Sequence, residues 1–390
     1  MRPLFKLKRE TLRIARRMTR KITRRHKPPT GSAPASPVNI DFTAIEERYA
    51  QTDLARMPDT FALWRIIGND LVPRHRKGQS RDNVAFILKH ESQFPNCSKH
   101  WLLNRIYDPD EEAAIIALLE QHNQSYRRIE FDFREYAKQP LDLDTLPEAL
   151  RSLGSGAFGP RKQSKLETRF LRHKNNYAMN SNSARNTALS LGRRTAKWVL
   201  PWDGNCFVTD DGWESIQAAV TKQPFLPYFI VPMARITENT IVLKDKVPPA
   251  TEEPQIIFRC DAEEMFDERF PYGRRPKVEL LWRLGIPGIW DRYIMEPFDL
   301  PRPALARQAY QYAQAGWVAR LSSGAAQLET GNNSARRRDQ AREEAIIQFL
   351  DLLDRVVAQQ GENHGPQNRS GILASEARHS AEFGASRPTP

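Results

Sequence analysis

The sequence predicts an α/β fold: a mainly parallel central sheet flanked by helices, followed by a C-terminal helical region. From Phe61 onward, apolar segments of strand length alternate with helical patterns, the rhythm that packs helices on a parallel sheet. Turn residues close these segments, as Gly68-Asn69-Asp70 closes the first. With 390 residues, 40% apolar and 27% charged, the chain is long enough to bury a sizeable core in one or two packing units.

The first strand is read over Phe61–Ile67 (FALWRII), and the helical spacing of Asp82–Glu91 follows it. His100–Ile106 gives a second strand, Asp110-Glu111-Glu112 opens a helix over Ala113–Gln121, and Tyr126–Phe131 supplies a third strand. Ligands of such sheets bind at the carboxyl ends of the strands, which places Gly68, Asn69, Asp70 and Asp108 near a cleft.

Residues 151–176 break the rhythm. Gly154-Ser-Gly-Ala-Phe-Gly159 matches the dinucleotide pattern by letter, but the preceding LPEALRSL reads as a helix, where that pattern needs a strand. The segment is therefore expected to be a mobile basic loop carrying Arg161, Lys162, Lys165, Arg169, Arg172 and Lys174, with a charge suited to closing over phosphates.

A helix over Asn182–Gly192 and an apolar strand then lead into Asp203-Gly204-Asn205. Beyond lie a helix (Asp210–Thr221), strands at Tyr228–Met233 and Thr240–Leu243, a buried segment (Gln255–Arg259) and a helix (Lys277–Leu284). Two further helices are read over Ala304–Leu321 and Arg336–Ala358, and the polar last thirty residues read as disordered. The organisation is thus a basic arm (1–27), a Pro/Ser-rich linker (28–40), a globular body (41–300), C-terminal helices (301–360) and a tail (361–390).

Most of the excess charge sits in the arm: twelve Lys/Arg against Glu10 make residues 1–27 +11 of the chain's net +12. Leu4, Leu7, Ile14, Met18 and Ile22 recur near helical spacing there, so the arm reads as a basic amphipathic helix on an anionic membrane surface, or as a disordered basic tail or a transit peptide. Nucleic acid is a poor partner for it, because Phe5 is its one aromatic residue. No run approaches the length of a membrane span, and Cys97, Cys206 and Cys260 lack metal spacing. A cytoplasmic protein, peripheral at the inner face of a membrane, is expected.

Asp203-Gly204-Asn205 reads in two ways: as a tight turn, or as a carboxylate and an amide directed into one site, where Mg or Mn would bridge a diphosphate. Asn205 is neutral, so cation affinity should be weaker than with two carboxylates. Upstream, three- and four-residue steps bring Asn182, Arg185, Asn186 and Leu189 to one helix face, where Arg185 would pair with phosphate or orient an Asp.

Asn180–Asn186, the strand before Asp203-Gly204-Asn205, Phe266-Asp267-Glu268 and Val278–Gly285 follow one another in an order that resembles the nucleotide-sugar-dependent glycosyltransferases of the GT-A fold. The resemblance runs from about Phe61 to about Gly288. It implies a GT-A-like sheet and transfer of a sugar from a nucleotide diphosphate donor to a hydroxyl of a glycan or lipid-linked glycan. It also implies nucleoside contact from Arg65, Gly68, Asn69 and Asp108, and donor contact from Asn182, Arg185 and Asp203, with Asp203 and Asn205 on the metal. Surface, turn and helix-cap roles are the plain alternatives for Arg65, Gly68-Asn69 and Asp108. Lys277 stands where the family's catalytic Asp falls, leaving Glu279, then Asp267, as the base; Glu279 alternatively pairs with Arg283, four residues on.

Overall fold

The computed structural model describes residues 40–142, 160–244, 247–293, 295, 299–325, 328 and 334–363. The basic arm, residues 28–39 of the linker, the Gly154–Gly159 match and residues 364–390 lie outside them.

Helix α1 (Phe42–Ala50) precedes an alternating run: β1 (Phe61–Ile67), α2 (Gln79–His90), β2 (Cys97–Asn104), α3 (Pro109–Gln121), β3 (Ser125–Ile129) and the short α4 (Phe133–Ala137). Three helices follow, α5 (Pro160–Phe170), α6 (Arg172–Met179) and α7 (Ser181–Gly192), before β4 (Trp198–Asp203), β5 (Cys206–Phe207) and α8 (Asp210–Lys222). The remainder comprises β6 (Tyr228–Arg235), β7 (Glu252–Arg259), α9 (Val278–Arg283), β8 (Tyr312–Gln314), β9 (Val318–Arg320) and the long α10 (Ser334–Asn363).

The sheet runs β3-β2-β1-β4-β7-β6-β9-β5, with β8 also paired to β6. Strands β3, β2, β1 and β4 are mutually parallel, β7 is antiparallel to both β4 and β6, and β5 is antiparallel to β9. The sheet is therefore mixed: its first half is wholly parallel, as expected, whereas beyond β4 antiparallel pairs stand beside the parallel pairing of β6 with β8 and β9.

The two-residue period of the strands sorts the core into faces. Phe61 and Leu63 of β1 pack with Trp198, Leu200 and Trp202 of β4 against α1 and α8. Ala62 and Trp64 face the other way with Val199, toward α7 and α9. The chain leaves β1 for β2 through a helix on one face and returns to β4 through α7 on the other. The crevice between the carboxyl ends of β1 and β4 is thus a topological switch point, where open α/β sheets place ligands. The backbones crowd there: a Cβ on Gly204 would lie 2.5 Å from the Ile66 carbonyl oxygen.

Three segments differ from the sequence reading. The expected basic loop of 151–176 is helical from residue 160 onward, where α5 and α6 run on to Met179. The apolar sides of these helices, including Leu171, Ala178 and Met179, are covered by Ala345, Ile346, Phe349, Leu350 and Leu353 of α10, a partner too distant in sequence for local periodicity to show. Thr240–Leu243 lies in a 3-10 turn (Asn239–Leu243) rather than a strand. The expected helix over Ala304–Leu321 is instead a turn followed by β8 and β9, because Gly316 takes a left-handed φ of 48° and the open edge of β6 pairs with both strands. Of the two expected C-terminal helices only the second forms, and it extends into the expected tail as far as Asn363.

A charged cluster lies within the core. Glu91 accepts from Arg65 at 2.5 Å, from Lys99 at 2.8 Å and from the Val208 amide at 2.9 Å, and the Arg65 and Glu91 side chains are each 1% exposed. Removing one member of a buried ionic group strands the others in low dielectric. Glu91→Ala is therefore expected to cost about 3–5 kcal/mol of unfolding free energy in urea titration; a loss under about 1 kcal/mol would show that solvent or rearrangement compensates Arg65.

Candidate functional site

Asp203 ends β4 on the face that meets α7, and its carboxylate joins four elements. Oδ1 accepts from Arg185 Nη2 of α7 at 2.6 Å, Oδ2 from Gln255 Nε2 of β7 at 2.9 Å, and Lys277 Nζ, just before α9, lies 3.7 Å from Oδ2. Arg320 of β9 adds a further positive charge. Burial alone would raise the Asp203 carboxyl, but Lys277, Arg185 and Arg320 outweigh it and hold the group well below the usual carboxylate range. Lys277 feels the converse: burial lowers its ammonium, and Asp203 opposes that shift.

Arg185 is set by its own helix. Asn182 Oδ1 accepts from Arg185 Nη1 at 3.0 Å, while Asn182 Nδ2 donates to the carbonyls of Asp267 and Pro276 at 2.7 and 2.6 Å. One turn on, Asn186 Nδ2 donates to the Phe266 carbonyl and its Oδ1 accepts from the Phe266 amide, both at 2.9 Å. The asparagines of this helix therefore fasten the loop after β7 onto α7. The left-handed Asn180 (φ 45°) closes α6, and its Nδ2 donates to Asn104 Oδ1 at 2.8 Å, pinning the end of β2.

Beside this cluster, at the carboxyl ends of β1 and β2, a cleft of about 440 Å³ is lined by Gly68, Asn69, Asp70, Tyr107, Asp108 and Glu111, with Gln348, Phe349, Asp351 and Arg355 of α10 opposite. Asn69 shapes its floor: Nδ2 donates to the Arg105 carbonyl at 2.7 Å and Oδ1 accepts from the Tyr107 amide at 3.0 Å. Asp108 caps α3, accepting from the amides of Asp110 and Glu111 at 3.1 and 3.3 Å. Burial pushes the Asp70 carboxyl up despite hydrogen bonds from Ser80, and burial also raises Glu111. Four carboxylates against Lys77 and Arg355 make this cleft acidic.

The structure thus brings Gly68, Asn69 and Asp108 together with Asp70 in the cleft, and Asn182, Arg185 and Asp203 into one chain of hydrogen bonds. Other expected residues are placed elsewhere. Arg65 shares the Phe61 and Leu63 face, fully buried under Glu91 with Nε on the Cys206 carbonyl at 2.9 Å, so it reaches neither cleft nor cluster. Glu279 is 0% exposed, accepting from the Asp267 amide at 2.7 Å and from Arg283 at 2.9 Å. Its carboxylate fixes the loop and has no open oxygen for an acceptor. Asp267 is paired with Arg269 at 2.6 Å, and that hydrogen bond depresses its carboxyl, a poor state for a base.

Asn205 Nδ2 donates to the Leu321 carbonyl at 3.3 Å, tying the turn to the end of β9. The Asp-Gly turn joins β4 to β5, which pairs with β9 rather than folding back on β4, so it is not a hairpin turn. Among the described residues no group of three or more His, Cys, Asp or Glu is placed to hold a metal. Asp203 already accepts two hydrogen bonds and faces an ammonium and guanidiniums, a donor set that does not fit a divalent cation. In the sequence Lys277 marks only a departure from the motif order, and Gln255 and Arg320 carry no signal, because they fold back from distant strands. Glu268, exposed on the same loop, accepts from Asn186 Nδ2 at 2.9 Å and acts on Arg105 at the end of β2.

Compared with known protein families and with curated proteins, the chain gives no match to either. Among the described residues no helix is long and apolar enough to cross a membrane.

Next to the cluster, Arg235 holds Glu252 through two hydrogen bonds of 2.8 Å. Burial would raise the Glu252 carboxyl, but Arg235 and Arg320 bring it from 4.5 down to about 2. A depressed carboxyl stabilises the fold above its unfolded value and loses that contribution as pH falls through the folded value. Asp203 shifts in the same direction. Stability is expected to decline from pH 4.5 towards pH 2, and Glu252→Gln to flatten the slope in denaturation measured across that range; an unchanged slope would remove Glu252 from the linkage.

Proposed function

We propose that the protein is a glycosyltransferase that moves a sugar from a nucleotide diphosphate sugar to an acceptor hydroxyl of a glycan or lipid-linked glycan, on a GT-A-like body. The observation that supports this most is the pairing of Arg185 with Asp203 at the β1/β4 switch point, on the strand next to β1, whose carboxyl end leads into the acidic cleft. The two halves suit the two ends of such a donor. Ribose and base present hydroxyl and N–H donors that carboxylates and the Asn69 loop accept, and the cationic cluster suits the diphosphate. In this reading the basic arm keeps the enzyme at an anionic membrane surface.

Transfer breaks the bond between the sugar C1 and the diphosphate oxygen, which leaves with the electron pair, while the acceptor oxygen bonds to C1 and gives up its proton. With Glu279 buried and Asp267 clamped, we assign the proton to Glu268, the exposed carboxylate of the same loop. A second reading, a donor-binding adaptor without turnover, is favoured by one observation: neither carboxylate expected from the motif order faces the cluster.

A thermal-shift screen of nucleotide diphosphate sugars on the full chain tests the donor site. A true donor at a hundred times its dissociation constant is expected to stabilise by about 2.7 kcal/mol, and Arg185→Ala to abolish the effect. Absence of stabilisation by every nucleotide sugar would end the donor reading. With a donor in hand, Glu268→Gln should lower turnover by about 10²–10⁴-fold at unchanged binding; turnover absent from the unaltered protein as well would favour the adaptor.

A further inference from the structure

Lys277 takes the place at this site that a second carboxylate or a cation would otherwise fill. Its side chain is 6% exposed, its ammonium lies 3.7 Å from Asp203 Oδ2, and it donates to the Glu253 carbonyl at 3.3 Å. Arg185, 10% exposed, closes the other side of the carboxylate. Arg320, 25% exposed, stands between Asp203 and the Arg235–Glu252 pair, 3.9 Å from Glu252. The Asp203 side chain keeps 27% exposure, so a solvent-borne oxygen can reach the rim of these donors.

The charges decide what such a rim attracts. Arg185, Lys277, Arg235 and Arg320 face Asp203, Glu252 and Glu253, an excess of one positive charge, to which Arg338 and Arg342 of α10 add by acting on Glu252 and Glu253. The Glu253 carboxylate accepts from the Tyr293 hydroxyl at 3.1 Å and keeps its negative charge. A divalent cation would meet like charge from the ammonium and both flanking guanidiniums, whereas an oxyanion meets charge-assisted N–H donors.

We propose that this site takes a diphosphate directly, without a divalent cation, with the Lys277 ammonium and the Arg185 and Arg320 guanidiniums neutralising its charge. The proposal rests on the donor-site reading above and names how that site holds its ligand. Asp203 then serves to position Arg185 and Lys277, rather than to ligate a metal.

Inorganic pyrophosphate, titrated calorimetrically into the full-length protein in EDTA and again with manganese, provides the test. Affinity in EDTA at least as high as in manganese, which chelates free pyrophosphate, is expected. Lys277→Met should weaken binding by about tenfold or more, the loss of one charge-assisted contact, while Lys277→Arg keeps it within a few fold. Far-UV circular dichroism checks that the variants fold. Because Lys277 is buried, Arg320→Gln offers a more exposed second probe and should also weaken binding in EDTA.

Lys277→Asp, which would set two carboxylates side by side, should make pyrophosphate binding require manganese. Binding by the unaltered protein only in manganese, or undiminished binding by both Lys277→Met and Arg320→Gln, would overturn the metal-free proposal while leaving the donor site standing. Failure of pyrophosphate together with every nucleotide diphosphate sugar would overturn both.

Discussion

The Asp203 carboxylate is the charge around which this molecule is arranged. It ends a strand that is buried along nearly its whole length, in a position where an isolated anion would be costly. Its compensation comes from α7 through Arg185, from β7 through Gln255 and from the start of α9 through Lys277. One partly buried charge thus joins the wholly parallel half of the sheet to the mixed half. It also explains the asparagines of α7: Asn182 orients Arg185 with its oxygen and holds the 267–276 loop with its nitrogen, so guanidinium and loop are fixed by the same side chain.

The carboxyl edge of the sheet is divided electrostatically. The cleft over β1 and β2 is lined by carboxylates, two of them raised by burial, while the region over β4 and β7 is lined by Lys and Arg. Opposite potentials side by side favour a ligand with a hydroxyl-rich, neutral end and an anionic end, and disfavour a uniformly charged one. The long α10 spans both regions. Its apolar stripe packs on α5 and α6, its N-terminal arginines act on Glu252, Glu253 and their neighbours, and Gln348, Phe349 and Arg355 wall the cleft. Tyr136 anchors it, donating to Asp354 Oδ1 at 2.9 Å, which also pairs with Lys174 at 2.5 Å.

Burial separates residues that look alike in the sequence. Arg65, Arg185 and Lys277 are all poorly exposed cations near strand or helix ends. Arg65 serves the interior, because the two-residue period of FALWRII turns it to the side of Phe61 and Leu63, and Glu91 descends from α2 to meet it. Glu279 likewise reads as a base by motif order, yet it stands at the centre of a loop clamp with Arg283. The i,i+4 pairing with Arg283 was legible as an alternative; the complete burial that favours it was not.

The sequence by itself determined the strands and helices of the parallel half, the cleft residues at the ends of β1 and β2, and the neighbourhood of Arg185 and Asp203. Periodicity and turn residues are local signals, and these elements obey them. Only the tertiary structure decided that residues 160–179 are helical under α10, that 312–320 pair with β6, and that Gln255, Lys277 and Arg320 converge on Asp203. The physical reason is the same in each case. A basic amphipathic segment, an open strand edge and an uncompensated carboxylate each need a partner, and the partner here lies between roughly fifty and two hundred residues away, where spacing along the chain carries no trace of it.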